Sequence, residues 1–411
     1  MLELLLNADL HAPESRGRMH LLVAGERIAW IGRAKPELPR ELEVRVRDLG
    51  GRRTVPGFVD GHAHITGGGG ESGYASRVPE VALSTFTRAG VTSVVGLLGT
   101  DDLNRTPGEV VARARALEEE GLSAWAWTGG YHLPLATITG SARGDIVHVD
   151  KVLGVGELAI SDHRSSQPTF EEFARLASEC HVAGLMTGKA GVLHLHVGDG
   201  PRGLELVRRA LSQTEIPARV FQPTHVNRRR ALFDEALELA KSGVAIDVTA
   251  YPADEDDAGL DAADALLAAF AAGVDVEHLT VSSDGGGCLP TFDVDGRVAS
   301  MGVGNPATLA ATLGRLLRAG VPPALPVALI ENASRAEQRV VATTLEGLTF
   351  AAESQRVSSP AIVLVGNVTS PQGTITGAEL STAAPGPDHP AATTLRCAPG
   401  PSRTPTSCHT R

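Results

Sequence analysis

Eight short apolar runs, at residues 58–64, 91–97, 123–129, 152–160, 192–199, 219–227, 244–251 and 278–285, are spaced by stretches long enough to hold a helix. Several of those stretches carry apolar residues at helical spacing, at 80–89, 170–183, 229–242 and 262–272. Strands that alternate with helices build parallel sheets, because a parallel pair needs a crossover and a helix is the usual one. Eight such units close a barrel. An open doubly wound sheet alternates in the same way but wants a glycine-rich phosphate turn after its first strand, and here that strand ends in histidines. The expected fold is therefore α/β, a (β/α)8 barrel of the TIM type.

The flanks differ in texture. Residues 1–55 show short apolar runs broken by Gly, Pro and charge, which reads as a small β domain. Past about residue 320 the alternation stops, and 371–411 is dense in Pro, Thr, Ser, Ala and Gly, which predicts a disordered segment. The expected organisation is a β domain at 1–55, the barrel at 56–320, a separate fragment at 321–370 and a low-complexity tail at 371–411.

Charge narrows the partners. The 48 acidic residues outnumber the 37 basic ones, for a formal charge of -11, so no basic field exists to hold nucleic acid or an anionic membrane. A small-molecule substrate is the default. Cys180, Cys288, Cys397 and Cys408 form no CxxC pair, which suits a reduced cytoplasm better than a thiolate metal site. The first ten residues are interrupted by Glu3, Asn7 and Asp9 and lack a basic flank, unlike a signal peptide, and no segment is long and apolar enough to span a bilayer.

The chemistry lies at the strand ends. His62, His64, Tyr131, Glu157, His196, His225 and Asp284 all sit at or near the C-terminal ends of the predicted strands, the rim where barrels do chemistry. His62 and His64 alternate along one strand and so share a face. Alone, such a pair is more often polar core. With His196, His225 and Asp284 converging from other strands, metal binding is the reading that satisfies them all, since unpaired buried polar groups are costly. Glu157 supplies a second carboxylate able to bridge two ions. His194 lies deeper on the same face as His196 and is read as a core or supporting residue, not a ligand. Metal ions there lower the pKa of water to about 7, so hydroxide is available to attack. Asp284 is placed to take the proton and pass it to the leaving amine, and Tyr131 to donate to the oxyanion, although a tyrosine after a strand more often packs.

The run Val55-Pro56-Gly57-Phe58-Val59-Asp60-Gly61-His62-Ala63-His64 resembles the opening of the amidohydrolase superfamily. Residues 67–71, 91–101, 136–141, 160–165, 196–199, 223–228 and 282–286 are similar to the isoaspartyl (β-aspartyl) dipeptidase family, over about 1–320. The resemblance implies two zinc ions, His62, His64 and Asp284 on one and His196 and His225 on the other. A carboxylated lysine bridges them in some members, and Glu157 stands at that position here. It further implies that Glu71 receives the substrate's α-amino group with Thr100 beside it, that Arg164 and Arg228 clamp carboxylates, and that the protein assembles with copies of itself. Cys288 stands where the family pattern has a serine, a weaker hydrogen-bonding group at a substrate contact.

Residues 326–370, by Pro326-Val327-Ala328-Leu329-Ile330-Glu331-Asn332-Ala333-Ser334 and the pattern after it, resemble instead the end of uroporphyrinogen-III C-methyltransferase. The glycine-rich front half such an enzyme needs for S-adenosylmethionine is missing. The family's usual C-terminal part, which completes the N-terminal β domain, is then replaced, leaving 1–55 incomplete. The leading expectation is a zinc-dependent β-aspartyl dipeptidase. The alternatives are another amidohydrolase acting on N-acyl amino acids or cyclic amides, and an inactive metal-binding remnant of a rearranged gene.

Overall fold

A computed structural model describes residues 2–11, 15–25, 27–251, 259–292 and 298–319, together with five strands beyond residue 325. The chain divides into two units, Gly57–Val321 and, in the other, Met1–Pro56 with Pro322–Arg411.

In the first stretch of the second unit, β1 (Leu2–His11), β2 (Ser15–Ala24), β3 (Arg27–Gly32) and β4 (Val44–Asp48) form a sheet in the order β3-β2-β1-β4, and β5 (Arg53–Thr54) also pairs with β1. Its apolar centre is small: Ala8, Leu10, Met19 and Leu21 are buried, with Leu5, Ile28, Ile31 and Leu49 packed on them.

The barrel runs β6 (Phe58–Ala63), α1 (Leu83–Ala89), β7 (Val91–Gly96), α2 (Pro107–Glu119), β8 (Ser123–Thr128), α3 (Ala142–His148), β9 (Val152–Ile160), α4 (Phe170–Thr187), β10 (Val192–Val197), α5 (Glu205–Gln213), β11 (Phe221–Thr224), α6 (Arg230–Lys241), β12 (Ile246–Thr249), α7 (Ala262–Ala271), β13 (Leu279–Ser282) and, after a hairpin, α8 (Ala307–Arg318). Each of the eight expected runs contains one of these strands. β6 to β11 pair in sequence as a parallel sheet and β12 pairs with β13. Strand eight returns to strand one through a parallel bridge between Ala63 and Gly285, with His64 N donating to Gly285 O at 2.8 Å.

Local chemistry explains the boundaries. Thr106 caps α2 in a box with Glu109, with Pro107 opening the helix, and Thr169 caps α4 with Glu172 in the same way. Gly90 and Gly188 end α1 and α4 in left-handed conformations that cost glycine little. The helices bury their apolar faces on the strands, and Phe173 of α4 stacks on Phe221 of β11 with centroids 5.6 Å apart. Among the described residues no helix is long and apolar enough to cross a membrane.

The hairpin between β13 and α8, β14 (Cys288–Phe292) with β15 (Val298–Val303), is not part of the sequence expectation, since Pro290 and Gly302 interrupt any strand pattern there. Beyond it, β16 (Pro326–Glu331), β17 (Arg339–Thr344), β18 (Ala361–Val365), β19 (Ala378–Thr382) and β20 (Thr393–Cys397) form a sheet in the order β18-β16-β17-β20-β19. Most of 371–411, where disorder is expected, lies outside the described residues, and the two described segments within it are the strands β19 and β20. No strand pairing joins this sheet to β1–β5 among the described residues.

We propose that the N-terminal sheet is the incomplete element. Its outer strand β4 leaves Val46 at 55% exposure. Limited proteolysis is expected to cut within residues 1–56 before the barrel. A protease-resistant N-terminal fragment would contradict this.

Candidate active site

The barrel brings six residues from five strand ends into one buried cluster: His62 in β6, His64 one residue past it, Glu157 in β9, His196 in β10, His225 just after β11 and Asp284 two residues after β13. None is more than 5% exposed. His225 and Asp284 have left-handed backbones, with φ of 61° and 51°, which turn the chain at the strand end and aim both side chains inward. Gly287 makes room for Asp284, because a Cβ there would lie 2.1 Å from Asp284 Oδ1.

Glu157 is the hub. Its Oε2 lies 3.1 Å from His196 Nδ1, 3.6 Å from His225 Nε2 and 3.7 Å from His62 Nε2, while Oε1 is 3.4 Å from His64 Nε2. Asp284 Oδ1 lies 3.2 Å from His64 Nε2 and 3.4 Å from His62 Nε2. Two sets present ligand atoms within 4.8 Å of one another, His62 with His64 and Asp284, and His62 with Glu157 and His225. The first is the trio that the resemblance implies. His196 stands outside the second set, joined to it through Glu157.

This cluster suits cations. His62 Nε2 and Asp284 Oδ1 are buried without a hydrogen-bond partner among the described residues, an arrangement that costs about 1–3 kcal/mol per group unless something else satisfies them. Burial pushes the Glu157 and Asp284 carboxyls up, but the imidazoles around them jointly outweigh it and hold both well below the carboxylate range. Burial pushes His64 down, yet Asp284 and Glu157 reverse that and draw it up to about 10. The field at the centre therefore attracts positive charge, and imidazole with carboxylate is a donor set for a borderline divalent ion.

Beside the cluster lies a charge-paired pocket. Thr100 Oγ1 donates to Glu71 Oε1 at 3.1 Å, and Arg164 Nη1 is 3.4 Å from the same oxygen. Glu71 Oε2 and Arg228 Nε are buried with no hydrogen-bond partner among the described residues. Arg228 follows His225 by three residues, its Nη2 3.4 Å from Tyr251 Oη. A cavity of ≈ 220 Å³ opens by Gly70, Thr100 and Asp101. Cys288 is partly buried, its Sγ 3.9 Å from Ser76 O and packed against Gly69, and burial pushes the thiol up to about 11. Tyr131 is buried with its Oη 2.8 Å from His196 Nδ1, and burial raises its hydroxyl well above the usual value, so it remains a donor.

No family model matches the chain. A solved β-aspartyl dipeptidase from Fervidobacterium islandicum AW-1, in complex with the dipeptide β-Asp-Leu, is 41% identical, with a TM-score of 0.71, over 78% of this chain and 83% of that one. The chain belongs to the β-aspartyl dipeptidase family of the amidohydrolase superfamily. An imidazolonepropionase of Pseudomonas fluorescens is 31% identical over 120 residues, 28% of this chain and 30% of that protein. Siroheme synthase 2 of Yersinia enterocolitica is 50% identical over 56 residues, 14% of this chain and 11% of its own length, in keeping with the methyltransferase-like resemblance after residue 325. The chain spans about a third or less of the length of the curated relatives it matches.

Within this family frame, several buried residues support the cluster that sequence reasoning did not single out. Asp162 Oδ2 is 3.0 Å from His196 Nε2, and the same carboxylate takes two bonds from Arg164, at 3.0 Å from Nε and 2.8 Å from Nη2. The His196 ring is thus held between two carboxylates, Asp162 at Nε2 and Glu157 at Nδ1, which fixes its orientation. Burial pushes Asp162 up, but His196 and Arg164 hold it far below the ordinary value. One acid thereby orients both a candidate ligand and a candidate substrate clamp. Asp60 accepts from Ser283 N at 3.1 Å and from the Ser283 hydroxyl, fixing the backbone just before Asp284, and burial lifts its carboxyl to about 6. Asp60 lies inside the histidine motif and a lone acid in an apolar run needs donors, a signal available in the sequence.

Proposed function

We propose that this chain hydrolyses β-aspartyl dipeptides with the help of two zinc ions, for which Glu157 would be a shared ligand. His62, His64 and Asp284 would hold one, and His196 and His225 the other. The observation that carries the substrate assignment is a buried acceptor and a buried donor without hydrogen-bond partners among the described residues, Glu71 Oε2, whose other oxygen meets Arg164, and Arg228 Nε, three residues after His225. A β-linked aspartyl residue places a free α-ammonium and a free α-carboxylate next to the scissile bond, and these two groups complement that pair. The bound β-Asp-Leu in the Fervidobacterium relative supports the same reading.

Metal ions bound there would supply hydroxide near neutral pH and polarise a carbonyl. The protein's own groups do the rest. Glu71 accepts from the α-ammonium, steadied by Thr100, while Arg164 and Arg228 bind carboxylate oxygens in planar pairs. The Cys288 thiol offers a weak donor at the pocket wall. Tyr131 donates to the oxygen that gains charge as water adds to the amide carbon. Asp284 accepts the proton released by the attacking water and delivers it to the departing nitrogen, so that the C–N bond breaks as an amine and an acid are formed.

The exposed stripe of Val182, Leu185 and Met186 on α4, at 37%, 66% and 65%, supports assembly with further copies of the chain. Free thiols at Cys180 and Cys288 suit a reduced cytoplasm. The full chain, loaded with zinc, is expected to cleave β-Asp-Leu and to leave α-Asp-Leu, N-acetyl-leucine and dihydroorotate intact. Comparable turnover of N-acetyl-leucine or dihydroorotate would move the assignment to another amidohydrolase. Stoichiometric zinc without turnover of any of them would leave a metal-binding remnant.

A further inference from the structure

Beneath the cluster, a line of hydrogen bonds crosses the barrel interior and ends on His62. Thr280 Oγ1 donates to Asp247 Oδ1 at 2.5 Å, and Gln222 Nε2 donates to Thr280 Oγ1 at 3.2 Å. Gln222 Oε1 faces His194 Nδ1 at 3.2 Å, and His194 Nε2 faces His62 Nδ1 at 2.8 Å. Five strands contribute one member each: β12, β13, β11, β10 and β6.

With Asp247 ionised, donation runs in one direction along this line. Asp247 accepts from Thr280, Ser282 at 2.5 Å and Thr224 at 2.7 Å, so the Thr280 hydrogen is committed and its oxygen can only accept from the Gln222 amide nitrogen. That fixes the Gln222 oxygen toward His194, whose Nδ1 must carry the hydrogen. His194 Nε2 then offers a lone pair, and His62 donates to it from Nδ1. The His62 Nε2 lone pair is left pointing at Glu157 and Asp284, where it has no hydrogen-bond partner among the described residues.

We infer that His194 is a positioning residue that sets the tautomer and ring orientation of His62 for metal binding, through a relay anchored on Asp247. A histidine ligand whose other nitrogen is bonded in this way is oriented and made more basic. His194 itself is held flat against the Trp127 ring, 13° from parallel at 5.4 Å, and Trp127 Nε1 donates to Gly61 O at 3.1 Å, next to His62. The same Asp247 carboxylate ties down Thr224, the residue before His225, and Ser282, two residues before Asp284, so one buried acid steadies two strand ends of the cluster directly and that of His62 through the relay.

This inference rests on the metal-binding half of the proposed function, and zinc affinity tests it without recourse to turnover. The full chain is stripped of metal and titrated with zinc against a chromophoric chelator. His194→Phe, which keeps the stacking but no acceptor, is expected to weaken zinc binding about 10–100-fold, whereas His194→Gln, whose amide can accept from His62 and donate to Gln222, stays within about threefold of the parent. If His194→Phe fails to fold, Gln222→Leu removes the acceptor of His194 and carries the same expectation of weakened binding. Parent-like zinc affinity in His194→Phe or Gln222→Leu overturns the inference, and so does a loss in His194→Gln as large as that in His194→Phe. A parent chain that binds no zinc defeats the metal reading itself.

Discussion

Asp284→Asn is expected to lower kcat for β-Asp-Leu by up to about 10⁴-fold while leaving the barrel folded. The position has a left-handed backbone at φ 51°, and asparagine is, after glycine, among the residues that occupy that region most readily, so the exchange adds little strain. Size is conserved as well. What changes is chemistry: Oδ1 stands 3.2 Å from His64 Nε2 and 3.4 Å from His62 Nε2, and an amide there neither carries a negative charge for a cation nor takes a proton from water. Two functions proposed for one oxygen are lost together. Steady-state kinetics in excess zinc, with circular dichroism to confirm the fold, measures this, and a variant that keeps a tenth of parental turnover would remove Asp284 from its proposed role.

The legibility of that site in the sequence comes from a contrast between burial and polarity. A strand inside a barrel is apolar along most of its length, so a histidine or acid at its C-terminal end stands out, and His62, His196, His225 and Asp284 were readable for that reason. All four meet in the structure although they span residues 62 to 284. Tyr131 was harder, because an aromatic after a strand serves packing equally well. It does both: it is buried, its ring lies 4.5 Å from that of His196, and its hydroxyl reaches His196 Nδ1.

Residues that act through other residues were mostly illegible. Asp162 lies in a loop next to Arg164, where local sequence suggests an ordinary turn, and only the tertiary fold shows that it spans His196 and the clamp. Gln222, Thr280 and Asp247 belong to three different strands and acquire meaning only from registers such as Asp247 opposite Thr280. Strand edges were also overdrawn. The run at 219–227 contains a strand of only four residues, Phe221–Thr224, because the turn at Val226–Arg228 starts at once to carry His225 and Arg228 to the rim. Apolar character persists through that turn, so periodicity does not mark its start.

Glu157 offers the sharpest separation between this chain and relatives bridged by a carboxylated lysine. The chain's lysines are Lys35, Lys151, Lys189 and Lys241. Lys189 Nζ donates to Ile146 O and Val149 O, Lys151 pairs with Glu118, Lys241 pairs with Glu238, and Lys35 is exposed in the N-terminal stretch. None stands at the cluster, where the Glu157 carboxylate already faces four imidazoles. Activity of the zinc-loaded parent is therefore expected to be the same in carbon-dioxide-depleted buffer and in added bicarbonate. Glu157→Gln keeps the shape but loses the charge that opposes those imidazoles and the second oxygen able to bridge, and is expected to lose on the order of 10³-fold in kcat, with bicarbonate restoring none of it. Rate measurements across a bicarbonate series for both proteins check this. A parental rate that climbs with bicarbonate would mean that carbamate chemistry operates here after all, and a Glu157→Gln variant with near-parental turnover would mean that the central carboxylate is structural.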